Sequence, residues 1–276
     1  MLSSYVIFTD LDGTLLDYES YSFKPALPAL TRIKTKNIPL VICSSKTRSE
    51  IEFYRKQLEN SDPFVSENGG GIFIPQDYFC HDFGHDKLMN GYKIIELGKS
   101  HKILIDALDS IKKETGLGLK SFSDMTIEEL SEMAGLGREL AELAMMREYD
   151  EPFLLEQDSR DSERIKFEIN RRGFRHTEGG IFHHISGEND KGKAVDILIE
   201  LFKDTSPNLK TIGIGDSLND LPMLQVVDIP ILVRKPDGLY DSRVNVSSLV
   251  RAQGVGPEGW NETILGLIDR DGVTAN

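Results

Sequence analysis

Asp10 and Asp12 stand at the end of an apolar run, Tyr5-Val-Ile-Phe-Thr-Asp-Leu-Asp-Gly-Thr-Leu15. An extended backbone sends residues i and i+2 to the same side, so both carboxylates can converge on one small volume before Gly13 lets the chain turn. Two negative charges that close call for a cation, and Mg²⁺ suits the role: a hard ion that takes oxygen ligands and keeps positions open for water and a substrate phosphate. An ionised aspartate is also a competent nucleophile toward phosphorus, splitting one difficult displacement into two easier ones. A buried strand ending in an Asp-rich turn accounts for this segment equally well, and the rest of the chain decides between the two.

The elements that must position these residues are legible in the hydrophobic pattern. Val6 to Thr9 reads as a short buried strand, Pro25 to Lys36 as a helix with apolar positions at Leu27, Leu30 and Ile33, and Leu40 to Cys43 as a second strand. Ser49 to Leu58 continues as a helix, and Phe64-Val65 leads into Glu67-Asn68-Gly69-Gly70-Gly71. Such alternation implies a parallel sheet covered on both faces, with the ligand beyond the carboxyl ends of its strands. Asp10, Ser44 and Glu67-Asn68 all fall at such ends. From about Gly84 to Ser186 the texture changes: helices at His101 to Thr115, Ile127 to Ala134 and Arg138 to Met146, with β-like runs at Pro152 to Leu155 and Gly180 to Ile185. This reads as an inserted α+β domain. Alternation resumes with a helix at Lys193 to Phe202, a strand at Lys210 to Ile214 and a helix from Leu221 to Val226, so the sheet is built from both ends of the chain.

The chain has 276 residues, enough for one large or two moderate domains. Acidic residues outnumber basic ones 45 to 32, for a net charge of −13, which argues against a nucleic-acid scaffold and requires an anionic substrate to meet a local basic pocket. Cys43 and Cys80 are too few for a disulfide framework and fit a reduced, cytoplasmic chain. No stretch approaches the roughly 20 apolar residues of a membrane helix. His81 and His85 stand four apart, but Asp82-Phe83-Gly84 is poor helix, so a surface loop is expected there rather than a zinc site.

Four segments, in order, resemble the haloacid dehalogenase superfamily of aspartate-dependent phosphotransferases: Asp10-x-Asp12-Gly13-Thr14; Ser44 after its strand; Lys191 in Asn189-Asp190-Lys191-Gly192-Lys193; and Gly213-Ile-Gly215-Asp216-Ser217-Leu218-Asn219-Asp220. The resemblance implies a Rossmann-like α/β core, residues 1–84 and 187–276, with an inserted α+β cap of the C2B type, residues 85–186. It assigns Asp10 as nucleophile and Asp12 as the acid that protonates the leaving oxygen and then activates water. Thr14, Ser44 and Lys191 would hold phosphate oxygens. Asp10, Asp216 and the backbone carbonyl of Asp12 would hold Mg²⁺, while Asn219 and Asp220 complete the outer shell or hold Lys191. Read individually, Ser44 also serves as a helix N-cap, and Lys191 as a solvated charge.

Further segments, Cys43-Ser-Ser-Lys-Thr-Arg48, Ser66-Glu-Asn-Gly69, Ala144-Met-Met-Arg-Glu-Tyr-Asp150 and Gly256-Pro-Glu-Gly-Trp260, resemble the mannosyl-3-phosphoglycerate phosphatase family. That implies hydrolysis of 2-O-mannosyl-3-phosphoglycerate to mannosylglycerate, a compatible solute, by a monomer or homodimer. A substrate carrying phosphate, carboxylate and sugar needs further donors, and Ser45, Lys46, Arg48, Asn68, Arg147, Glu148, Gly180 and His183 are the candidates. Ile181 departs from the Arg that relatives carry after the Gly pair, which leaves glucosyl-3-phosphoglycerate as the nearest alternative. A phosphatase for another sugar phosphate, a phosphomutase, and a phosphosugar-binding regulator are the competing readings.

Overall fold

The computed structural model describes residues 5–155, 159–179 and 181–271. The chain opens with β1 (Tyr5–Thr9), α1 (Leu27–Thr35), β2 (Leu40–Cys43), α2 (Arg48–Leu58) and β3 (Phe64–Ser66). Next come β4 (Gly71–Pro75), β5 (Lys87–Met89), β6 (Tyr92–Glu96), α3 (His101–Thr115), β7 (Leu119–Ser121), α4 (Ile127–Ala134), α5 (Arg138–Ala144) and β8 (Asp150–Leu155). The remainder is α6 (Ser159–Arg171), β9 (Arg175–Gly179), β10 (Phe182–Ser186), α7 (Lys191–Thr205), β11 (Lys210–Gly215), α8 (Leu221–Val226), β12 (Ile229–Arg234), β13 (Val250–Val255) and α9 (Gly256–Asp271).

The larger sheet has the order β13-β12-β11-β1-β2-β3-β4-β6-β5. Its first six strands are parallel and the last three antiparallel, so the expected parallel sheet acquires an antiparallel edge. Side-chain alternation along β1 explains the two-faced packing: Tyr5 and Ile7 join a core that includes residues of α1, α2 and α9, whereas Val6 and Phe8 join one that includes residues of α7 and α8. All five residues of β1 are buried, so the strand that carries Asp10 is anchored from both sides.

The smaller sheet, β7-β8-β10-β9, is antiparallel, and α3 and α6 pack on it through Leu104, Leu108, Ile111, Ile165 and Ile169. The expected boundary after residue 84 needs correction. The β5–β6 hairpin lies beyond it, yet pairs with β4 in the larger sheet. Only Ile94 of β6 is fully buried, so this edge hairpin never shows the continuous apolar run that marks a central strand. Helix α6 and the flanking strand β9 also escaped the sequence reading, because α6 is predominantly polar and β9 lies at the sheet edge. Among the described residues no helix is long and apolar enough to cross a membrane.

The two sheets meet at a small set of buried polar contacts. The Glu67 carboxylate, in the turn after β3, accepts the backbone N–H groups of Glu148 (3.0 Å) and Tyr149 (2.8 Å), just before β8. The Asn189 side chain donates to the carbonyls of Glu67 and Tyr149, both at 2.9 Å. Burial raises the Glu67 carboxyl to about 8, against the opposing charge of Arg147. A carboxyl held above its ordinary 4.5 gives a stability contribution that is complete below that pH and is lost as pH rises toward about 8. Glu67→Gln, the isostere of the protonated form, is therefore expected to show a shallower fall in melting temperature between about pH 5 and 8 than the parent chain. Thermal unfolding across that range checks it, and parallel curves would remove Glu67 as the titrating group.

Candidate active site

Asp10 follows β1 and Asp216 follows β11, the parallel neighbour of β1, which brings the two carboxylates to one end of the sheet. Asp220 reaches the same volume from the short 3₁₀ turn Leu218–Asp220. One ligand oxygen from each of Asp10, Asp216 and Asp220 lies within 4.8 Å of the others. Two glycines permit this closeness. A Cβ on Gly215 would stand 2.4 Å from the Asp220 Cβ, and Gly13, at φ +69°, passes so near that its Cβ would stand 3.2 Å from an Asp216 carboxylate oxygen.

Lys191, the first residue of α7, enters this acidic volume fully buried. Its Nζ donates to Asp10 Oδ1 at 2.8 Å and to Asp220 Oδ1 at 2.7 Å. Burial opposes the charged ammonium, but Asp10 and Asp220 outweigh it and hold Lys191 above the ordinary lysine value. Asp220 is itself fixed, since Oδ2 accepts the backbone N–H groups of Asp216 (3.0 Å) and Ser217 (3.3 Å). Burial raises Asp10 well above the usual carboxylate range despite Lys191, and burial with the neighbouring Asp220 pushes Asp216 up to about 6. Three carboxylates around one ammonium leave an excess of negative charge, and an all-oxygen donor set of that kind fits a hard divalent cation.

Behind Asp10, the Thr9 hydroxyl donates to the Asp10 carbonyl at 2.8 Å and accepts from Trp260 Nε1 at 3.1 Å. The Gly256-Pro-Glu-Gly-Trp260 segment thus braces the end of β1 from the C-terminal helix. Thr14 and Ser44 are both completely buried. The Thr14 hydroxyl has no hydrogen-bond partner among the described residues, and Ser44 Oγ accepts the Lys46 backbone N–H at 3.2 Å. Ser44 is not the N-cap of α2; Thr47 is, with Glu50 completing a capping box. Cys43 is buried and its thiol is raised by desolvation, as an unreactive strand cysteine should be.

Lys46 is engaged by two carboxylates. Its Nζ lies 3.1 Å from Asp12 Oδ2 and 3.4 Å from Glu50 Oε1, over the rings of Tyr21 and Tyr54 at 5.3 and 5.7 Å. Burial raises Asp12, with Lys46 opposing, and its Oδ1 has no partner among the described residues. Sequence reasoning missed this pair. A Lys four residues before Glu on α2 was its one available signal, and it says nothing about Asp12.

The other candidates are distributed unevenly. Arg147 donates to the carbonyls of Ser45 (3.1 Å) and Ala144 (2.9 Å) and lies 3.6 Å from Asp150, so it joins the smaller sheet to the loop after β2. Arg48 pairs with Glu148 at 3.3 Å across the same junction and with Glu52 at 3.3 Å along α2. Asn68, at φ +55°, accepts from Asn219 at 3.4 Å, and Asn219 also receives the Ser217 hydroxyl. His183 is not brought to the carboxylates. It stacks on Phe153 at 5.6 Å, on the face of the smaller sheet that packs against α3 and α6, whereas His184 reaches Asp150 on the other face. Gly180 lies outside the described residues, and its neighbour Ile181 is 60% exposed. His81 and His85 form no metal cluster among the described residues; His81 faces Asp204 at 3.7 Å.

Removing the ammonium should expose how much the site depends on it. Lys191→Met leaves the buried Asp10 and Asp220 carboxylates without their cation, and a loss of about 3–5 kcal/mol is expected in urea unfolding. An unchanged midpoint would show that the pair is not ionised in the folded chain.

The model of the haloacid dehalogenase-like hydrolase family matches residues 7–236. A glucosyl-3-phosphoglycerate/mannosyl-3-phosphoglycerate phosphatase of Methanococcoides burtonii is 46% identical over 267 residues, covering 97% of this chain and 98% of the relative. A mannosyl-3-phosphoglycerate phosphatase of Pyrococcus horikoshii is 39% identical over 246 residues, covering 89% and 96%. Among solved structures, a phosphatase of the haloalkanoate superfamily from Bacteroides thetaiotaomicron has the same fold, with a TM-score of 0.66 at 16% identity over 97% of this chain and 96% of that one. Matches of this extent leave one assignment: the chain belongs to the haloacid dehalogenase-like hydrolases, within the family of the mannosyl-3-phosphoglycerate phosphatases.

Proposed function

We propose that the protein is a Mg²⁺-dependent phosphatase that hydrolyses 2-O-mannosyl-3-phosphoglycerate to mannosylglycerate and phosphate. The observation that carries this reading is the buried Lys191 clamped between Asp10 and Asp220 beside Asp216. Such an arrangement costs several kcal/mol of desolvation per ion, a cost that catalysis explains better than folding does. Hydrolysis of the glucosyl substrate is the second reading, favoured because the 46% and 43% identical relatives carry both sugars in their names.

In this mechanism Asp10, oriented through its contact with Lys191, attacks phosphorus; the ester bond breaks and Asp12 gives its proton to the leaving oxygen. Asp12, raised above the ordinary carboxylate value by burial, then takes a proton from water as that water attacks the aspartyl-phosphate. Phosphate departs and Asp10 is restored. The Thr14 hydroxyl, unpartnered among the described residues, and the Ser44 hydroxyl would donate to phosphate oxygens, with Lys191 neutralising their charge. Asp10, Asp216 and the backbone carbonyl of Asp12 would hold Mg²⁺, which supplies charge neutralisation on the phosphate. Lys46 holds Asp12 in place rather than the substrate. Residues 98–186 form the cap, and Arg48, Asn68, Arg147 and Glu148 line its junction with the core, where the sugar and glycerate groups would be selected. Cytoplasmic residence is part of the same reading, consistent with unpaired Cys43 and Cys80.

Phosphate release with Mg²⁺ should be fastest on mannosyl- and glucosyl-3-phosphoglycerate in a panel with sucrose-phosphate, trehalose-phosphate and hexose phosphates. Equal rates across the panel would overturn the substrate assignment. Asp10→Asn is expected to abolish turnover without unfolding, and a chelator to inhibit in parallel. Lys46→Met should lower kcat about 10- to 100-fold with KM little changed, the pattern of a misplaced acid rather than a lost substrate contact. A rise in KM at constant kcat would return Lys46 to substrate binding.

A further inference from the structure

On the smaller sheet, β9 and β10 gather a second set of ligand-type side chains that the phosphatase reading leaves unused. Cross-strand pairing sets His183 opposite Glu178, and the two-residue period of β9 brings His176 to the same face. His176 Nε2 lies 2.9 Å from His183 Nδ1, and His183 Nδ1 lies 3.7 Å from Glu178 Oε1. All three ligand atoms fall within 4.8 Å of one another. The imidazoles stack at 5.2 Å, and Phe153 stacks on His183 at 5.6 Å, so their orientations are set by packing.

These separations suit one ion. Zinc bonds of about 2.0–2.2 Å in tetrahedral geometry put ligand atoms about 3.4 Å apart. The nitrogen pair, at a hydrogen-bonding 2.9 Å, must part and the nitrogen–oxygen pair, at 3.7 Å, must close for an ion to enter, both by side-chain rotation. Two imidazole nitrogens and one carboxylate oxygen form a borderline donor set that selects Zn²⁺, Co²⁺ or Ni²⁺ over Mg²⁺, unlike the all-oxygen set around Asp10. Both imidazoles are partly buried and Glu178 is exposed, which gives an ion a route in.

We propose that His176, Glu178 and His183 form a divalent transition-metal site, with water in the fourth position. The ion would clip the β9–β10 hairpin on the face that meets α6, where the Ser162 hydroxyl already donates to Glu178 at 3.3 Å. It stands apart from the catalytic carboxylates and depends on nothing in the assignment of the substrate.

Tag-free, chelator-stripped protein is titrated with Co²⁺ in excess Mg²⁺, and the visible bands of tetrahedral cobalt are followed. One equivalent should bind and be displaced by Zn²⁺. His176→Gln should abolish the bands while keeping the far-ultraviolet spectrum and Mg²⁺-dependent phosphate release. Glu178→Gln, at an exposed position that folding does not need, should weaken binding at least about tenfold, as loss of one ligand requires. Asp216→Asn should leave the bands intact. Absence of bands in the parent chain, their survival in both His176→Gln and Glu178→Gln, or their loss in Asp216→Asn would overturn the proposal.

Discussion

A lysine ammonium buried with two carboxylates in contact is the constraint around which this molecule is built. Lys191 is fully enclosed, and a charge so placed is tolerated only where its partners and their own hydrogen bonds are all supplied. Three elements must therefore agree in position: the end of β1 for Asp10, the turn after β11 for Asp220, and the start of α7 for Lys191. Parallel pairing of β1 with β11 delivers the first two, and the absence of a Cβ at Gly215 lets Asp220 close in. Gly192 does the same for α7, since a Cβ there would stand 2.5 Å from the Pro222 carbonyl oxygen. An acidic cluster with one ammonium is still unbalanced, and that imbalance is what the proposed Mg²⁺ would offset.

The same logic of buried polar groups governs how the smaller sheet meets the larger. Glu67 and Asn189 exchange hydrogen bonds with the backbone beside Tyr149, and Arg147 reaches the carbonyl of Ser45, next to the buried Ser44. The partly exposed Arg48–Glu148 pair adds little energy and more register. Charged residues that suit a phosphorylated, carboxylated sugar are thus already engaged with one another at the junction.

Much of this was legible in the chain. Helices at His101 to Thr115 and Ile127 to Ala134 begin and end where the hydrophobic period predicted, because each has an apolar stripe and local end signals, and α8 begins at Leu221 as read. The Asp10–Thr14 and Gly213–Asp220 segments were visible through their clustered glycines and aspartates, whereas Ser44 and Lys191 gained meaning only from their order beside them. Edge elements were not. The β5–β6 hairpin fully buries only Ile94, and α6 sets Ile165 and Ile169 in a mostly polar sequence, so both look like loop or surface.

For the site, residue type and spacing at a strand end brought Asp10 and Asp12 together, and the resemblance of four segments to the haloacid dehalogenase superfamily added Lys191 and Asp216 to them. Which charge meets which was decided only by the tertiary structure. Lys46 stands against Asp12 and Glu50, and His183 lies against His176 on the face of its sheet that packs against α3 and α6; neither Asp12 nor His176 was legible as a partner in the sequence. The physical reason is range. Local spacing specifies backbone turns and strand ends, whereas the partner of a long cationic side chain, or the face a strand residue shows, depends on elements brought together from distant parts of the chain.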